Sequence, residues 1–184
     1  EYLRQRKLFS EEFLEYLLNF KFTGDIYAIK EGTPVFPNEP LITVKAKVIE
    51  AQLIETMLLL TINHQSLIAT KANRIRRAAG GKEVLELGAR RSQGYDAAIY
   101  GARAAYIGGA DGTANTIADE IFGVKAVGTM AHSWIQLFGD EYKAFETYAK
   151  TYPDNCVLLI DTYNVLKSGI INAIKVSKEG LEPQ

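Results

Sequence analysis

Val84-Leu85-Glu86-Leu87-Gly88-Ala89-Arg90-Arg91 opens a stretch in which a short apolar run is followed by small residues and then by charge. The pattern returns three times. Ala105-Tyr106-Ile107 leads into Gly108-Gly109-Ala110-Asp111-Gly112-Thr113. Lys125-Ala126-Val127 leads into Gly128-Thr129-Met130-Ala131-His132-Ser133. Val157-Leu158-Leu159-Ile160 leads into Asp161-Thr162-Tyr163-Asn164. The apolar runs read as strands at 84–87, 105–107, 125–127 and 157–160, and helical spacing falls between them at 95–104, 113–122, about 133–150 and 165–176. Four βα units in succession predict a parallel sheet. In such folds ligands bind at the carboxyl ends of the strands. Those ends would bring together Arg90, Arg91, Asp111, His132 and Asp161, a set suited to an anionic, phosphate-bearing substrate with a metal.

Upstream of Gly81 the pattern differs. Ser10 is a good helix N-cap, with Glu11 and Glu12 where the dipole favours acids and Phe13, Leu14, Leu17 and Leu18 on one apolar stripe. Residues 25–30 read as a strand. Ile42, Val44, Ala46 and Val48 alternate with polar residues as in a second strand. Residues 51–79 are helical in pattern and long enough to suggest a break near Asn63 or Ser66, and Gly80-Gly81 is the stop. The expected division is therefore 1–80, part of an α+β sandwich-like domain with its linking helix, and 81–184, an α/β domain.

Composition narrows the function. Of 184 residues, 47% are hydrophobic, enough for a real core, and the formal net charge of −1 gives no basic surface for nucleic acid. No apolar run approaches the roughly 20 residues that cross a bilayer, and residues 1–4 are charged without an apolar signal segment. The single cysteine, Cys156, precludes an internal disulfide and reads as core. A cytoplasmic protein whose start has been trimmed is the expectation.

Each site residue also has a plainer reading. Arg90 and Arg91 would serve as a surface ion-pair face. Asp111 and His132 would cap helices. His64 would be a satisfied core histidine. Lys71, Arg74, Arg76 and Arg77 would form a solvated helix end. Asp161 is the least easily dismissed, because an unpaired carboxylate at the end of an apolar strand is costly.

Glu86-Leu87-Gly88-Ala89-Arg90-Arg91-Ser92-Gln93-Gly94, Gly108–Thr116, Gly128–Ser133 and Asp161–Asn164 resemble consecutive signatures of the nicotinate phosphoribosyltransferases. Gly32–Pro37 and the stretch from Glu55-Thr56 to Arg74 are similar to an earlier part of the same family. The resemblance implies a partial type II phosphoribosyltransferase α/β barrel of four βα units, preceded by part of the sandwich-like domain. It implies a homodimer with shared active sites, in which nicotinate and phosphoribosyl pyrophosphate give nicotinate mononucleotide and pyrophosphate for NAD biosynthesis. Mg²⁺ is the implied metal, and ATP hydrolysis is coupled through a phosphohistidine. By motif position Arg90 resembles the residue that meets the nicotinate carboxylate, and His132 the phosphorylated histidine. Gly128, Thr129 and Ser133 resemble substrate contacts, and Asp111 and Asp161 pocket acids, Asp161 being a candidate for Mg²⁺. Alternatives are a nicotinamide- or quinolinate-specific relative, or a catalytically inactive fragment of the enzyme. Family chains are more than twice as long, so the 184-residue chain by itself is expected to be inactive.

Overall fold

The computed structural model describes residues 1–178, so residues 179–184 of the expected second domain lie outside the described part. Two compact units emerge, Glu1–Asp111 and Gly112–Gln184. The division falls some thirty positions beyond the Gly80 boundary expected from composition. The cause is helix packing within the first unit, described next.

The first unit opens with two short helices, α1 (Tyr2–Arg6) and α2 (Glu11–Leu18). Ser10 caps α2 as its sequence requires, its hydroxyl accepting from the Phe13 amide at 3.3 Å. The aromatic rings of Phe9, Phe13, Tyr16 and Phe20 follow one another along this segment, with centroids 5.4–6.4 Å apart. Strands β1 (Asp25–Ala28) and β2 (Ile42–Lys45) pair antiparallel, Asp25 opposite Lys45 and Ala28 opposite Ile42. Glu50 anchors the chain ahead of β1. Its buried carboxylate accepts from the Thr23 amide at 2.8 Å and from the Thr23 hydroxyl at 3.0 Å. The amide bond above all, with the hydroxyl and Lys47 adding to it, holds the Glu50 carboxyl below its ordinary range.

Helix α3 (Val48–Ala78) runs unbroken for 31 residues, so the expected break near Asn63 or Ser66 does not occur. No Gly or Pro lies within it. Its polar side chains bond back onto its own turns: Thr61 donates to the Met57 carbonyl at 2.8 Å and Thr70 to the Ser66 carbonyl at 2.7 Å. The stop is where Gly80 and Gly81 take φ of 58° and 91°.

After β3 (Leu85–Glu86) and a 3₁₀ turn (Ala89–Arg91) comes α4 (Tyr95–Ile107). The strand expected at 105–107 is instead the last turn of this helix. The run Ala97-Ala98, Ala102, Ala104-Ala105 carries high helix propensity, and its small side chains let α4 lie close against α3. Ala72, Ala105 and Ala110 form the small buried cluster between the two helices, with Ile68 packed on it. A side chain at Gly108 would run into the Ala69 carbonyl and stand 2.9 Å from the Ala72 methyl, so the approach requires glycine there. The Arg103 guanidinium grips Glu31 with both nitrogens, at 2.6 and 2.7 Å, and holds that carboxyl below its ordinary range.

The second unit begins with β4 (Gly112–Thr113), which supplies the strand expected a few residues earlier. Thr113 forms a parallel bridge with Ala126, within the run expected as a strand at 125–127. Helix α5 (Thr116–Phe122) between them is capped by Asn115, whose side chain accepts from the Ile117 and Ala118 amides. The helix expected at about 133–150 is two: α6 (His132–Phe138) and α7 (Glu141–Thr151), divided at Gly139, which has φ 66°. The apolar run 157–160, expected as a strand, forms none among the described residues and turns at Ile160. A π-helical turn (Val165–Gly169) then leads into α8 (Ile170–Lys178). Ile135, Phe145, Cys156 and Val176, all at most 1% exposed, centre the core, and burial pushes the Cys156 thiol upward. The described architecture is thus mixed, mostly helical with small sheets and no closed barrel.

Candidate active site

Asp111 was expected at the carboxyl end of a strand. Because residues 105–107 are helical, it stands instead at the entrance to β4. Its backbone amide donates to the Val84 carbonyl at 2.8 Å, and its Oδ2 accepts from the Val84 amide, also at 2.8 Å. The same oxygen meets Arg76 Nη1 at 2.8 Å, and that nitrogen also donates to the Lys82 carbonyl at 2.8 Å. Asp111 therefore closes the loop that follows α3, in place of the helix-capping role that falls to Asn115. Arg76, read from sequence only as part of a solvated basic run, is its partner; nothing in its spacing distinguished it from Arg74 or Arg77.

Arg90 lies in the 3₁₀ turn just after β3 and is exposed. Gly88 precedes that turn, and its amide donates to the Glu86 carboxylate. His64 makes the satisfied contact expected of it, Nε2 lying 3.1 Å from the Ala97 carbonyl oxygen.

In the second unit, Gly128 and Thr129 lie in the exposed segment after the Ala126 bridge. The Thr129 hydroxyl donates to the Met130 carbonyl at 3.2 Å. His132 and Ser133 are the first two residues of α6, both exposed. The His132 imidazole is turned toward the segment after residue 160. Nδ1 lies 3.2 Å from the Thr162 hydroxyl oxygen and 3.9 Å from Asp161 Oδ1. The side chains of His132 and Asp161 are 53% and 58% exposed, so this pair stands where a solute can reach it. Buried Met130 and Ile135 flank His132 in sequence and pin α6 to the core. Thr162 is the residue that the sequence reading passed over, although it directly follows Asp161.

The structure thus joins His132, Thr162 and Asp161 into one cluster, and joins Asp111 to Arg76. The fit to a metal follows from donor chemistry. Mg²⁺ is commonly held by one or two carboxylates together with substrate phosphates. The exposed Asp161 carboxylate fits that role. Among the described residues, no three His, Cys, Asp or Glu side chains gather as an all-protein metal cage would need.

Comparison with known proteins identifies the family the chain resembles. Residues 1–63 match the model of the nicotinate phosphoribosyltransferase N-terminal domain. The chain is 51% identical over 178 residues to nicotinate phosphoribosyltransferase of Bacillus subtilis, covering 97% of this chain and 36% of that protein. It is 48% identical over 177 residues to nicotinate phosphoribosyltransferase pncB2 of Mycobacterium tuberculosis, covering 96% of this chain and 38% of that one. Among solved structures, human nicotinic acid phosphoribosyltransferase superposes with a TM-score of 0.80 at 28% identity, over 96% of this chain and 45% of that one. The chain therefore spans somewhat over a third of the length of the curated relatives it matches. Among the described residues no helix is long and apolar enough to cross a membrane.

Proposed function

Because the chain belongs to the nicotinate phosphoribosyltransferase family, we propose that it contributes to an enzyme that makes nicotinate mononucleotide and pyrophosphate from nicotinate and phosphoribosyl pyrophosphate. The reaction feeds NAD biosynthesis in the cytoplasm and is coupled to ATP hydrolysis. One observation carries the reading: an exposed imidazole, His132, held by its Nδ1 against Thr162 and beside Asp161. A neutral imidazole fixed at one nitrogen offers the other as a nucleophile near pH 7, which phosphoryl acceptance requires.

Arg90 binds the nicotinate carboxylate through its forked guanidinium. The Gly128 backbone and the Thr129 and Ser133 hydroxyls contact substrate oxygens around His132. Asp161 would hold Mg²⁺, which supplies charge neutralisation to phosphate groups when bound. The bonds from Asp111 to Arg76 and Val84 support a role in fixing the approach to β4 rather than direct contact with the base. The parallel bridge between Thr113 and Ala126 supports an α/β barrel to which this chain contributes part, and the greater length of the relatives supports completion by further chain. The exposed Met57, Leu60 and Leu67 on α3 support burial against further chain or a second copy, as in a homodimer.

The test is His132→Asn in the complete enzyme. The variant should take up no acid-labile phosphate from labelled ATP and should lose ATP-stimulated turnover, keeping at most a slow ATP-independent reaction. Labelling at the wild-type level would overturn the reading.

A further inference from the structure

Two ring nitrogens of His132 could in principle accept a phosphoryl group, and they differ in surroundings. Nδ1 has the Thr162 hydroxyl at 3.2 Å and the Asp161 carboxylate at 3.9 Å. A carboxylate so close favours the proton on the nitrogen facing it. With the proton on Nδ1, the Thr162 oxygen is its hydrogen-bond acceptor, and the lone pair is left on Nε2. A threonine hydroxyl can also donate. Were it to donate to Nδ1, the proton would sit on Nε2, away from the carboxylate, and the outward nitrogen would have no lone pair to offer.

We propose that Thr162 is a positioning residue that fixes the Nδ1–H tautomer of His132, so that Nε2 is the atom that accepts the phosphoryl group. The proposal rests on the phosphoacceptor reading above and adds to it the reacting atom and the residue that selects it. The Nε2 lone pair attacks the terminal phosphorus of the nucleoside triphosphate. An Nε2–P bond forms, and the bond from that phosphorus to the bridging oxygen breaks. Its electron pair leaves with the nucleoside diphosphate. Nδ1 keeps its proton throughout. Positive charge that develops on the ring is shared toward Nδ1–H, where the Asp161 carboxylate stands 3.9 Å away. Thr162 itself exchanges no atom with the substrate.

Packing explains why Thr162 can hold this place. It is half-buried, whereas Asp161 and Tyr163 on either side are exposed. The segment before it rests on the core through Leu158, Leu159 and Ile160. The Asn164 side chain just after it caps the π-helical turn, accepting from the Lys167 amide at 2.8 Å. The hydroxyl is thus carried on backbone fixed on both sides, which an orienting group requires.

The experiment uses the complete enzyme labelled with ¹⁵N-histidine, with His132→Asn to assign the signal. Long-range ¹H–¹⁵N spectra of the unphosphorylated protein read the tautomer of His132. After ATP is added, ¹⁵N–³¹P coupling reads which nitrogen carries phosphorus. The expected result is the Nδ1–H tautomer and phosphorus on Nε2. Thr162→Val, which keeps the shape and removes the hydroxyl, should mix the tautomers and slow phosphoryl uptake by on the order of tenfold or more. Thr162→Ser should restore both readouts. An Nε2–H tautomer in the wild type, phosphorus on Nδ1, or a Thr162→Val protein with unchanged tautomer and uptake would each overturn the proposal. If His132 took up no phosphate at all, the proposed function would fall, and the tautomer of the unphosphorylated protein would still decide the role of Thr162.

Discussion

Arg76 and Asp111, 35 positions apart, meet at 2.8 Å and together close the loop that leaves the long helix α3. The guanidinium also holds the Lys82 carbonyl, and the carboxylate also holds the Val84 amide, so one ion pair fixes backbone on both sides of residue 83. Both side chains are about one-third exposed, which limits the Coulombic part. The amide bond adds to it. Asp111→Ala should cost about 1–2 kcal/mol, read as a lower urea midpoint with unchanged slope. Asp111→Asn should lose less, because the side-chain oxygen still accepts from Val84. Equal losses for the two variants would show that charge alone matters.

Gly108→Ala tests the closeness of α3 and α4. The added methyl meets the Ala69 carbonyl and the Ala72 side chain, and the helices must part. Overpacking of this kind costs about 1–3 kcal/mol. Thermal unfolding should show a clear drop in Tm, and a neutral result would mean that the helices are less intimate than described. Gly123→Ala is a useful contrast: the added methyl has open space, so any loss there reports the strain of φ 68° alone.

The acid limb of stability should carry the mark of Glu50 and Glu31. Each carboxyl is held below its ordinary range, Glu50 by the Thr23 amide first and Glu31 by the Arg103 guanidinium first. A carboxyl depressed in the folded state binds fewer protons there than in the unfolded chain. Its stabilisation is therefore complete above the unfolded value and is lost as pH falls through the folded one. Wild type should lose stability as pH drops below about 4.5. Glu50→Gln should be less stable at pH 7 and show a shallower decline on acidification. Parallel curves for the two proteins would remove Glu50 from the account.

Arg90→Ala in the complete enzyme should raise the KM for nicotinate far more than that for phosphoribosyl pyrophosphate. Loss of a charged bidentate partner is on the order of 2–4 kcal/mol, or about 30- to 800-fold in affinity. Steady-state kinetics with each substrate varied in turn is the check, and an unchanged nicotinate KM would remove Arg90 from the carboxylate site.

Local signals served well where one residue decides local geometry. Ser10 caps α2, Gly80 and Gly81 end α3, and His64 is a satisfied histidine, each as its neighbours in sequence dictate. Errors arose where an apolar run carried no period. Ala105-Tyr106-Ile107 is short and apolar, and spacing cannot tell a buried strand from the last turn of a helix. The choice was made by small alanines packing against α3 and by Gly108 fitting under Ala69, contacts between residues far apart in the chain. That shift of a few positions moved Asp111 from a strand end to a strand entrance and paired it with Arg76. His132 and Asp161 were visible as ionisable residues after apolar runs. Thr162 was not, because a hydroxyl gains its meaning only from the ring opposite it.

Gly169, within the π-helical turn, sits so close to Ile160 that any side chain there would collide with the Ile160 carbonyl. Ile160 is the residue immediately before Asp161 and Thr162. A substitution at 169 would push the very segment that faces His132, although Gly169 itself carries no functional group. Where this arrangement is kept, nothing larger than a hydrogen fits at the Cα of residue 169. Leu166 and Ile171, on either side of it in the chain, are exposed instead. A variant screen of the complete enzyme scored on activity should find Gly169 as intolerant as His132, the residue that the displaced segment faces.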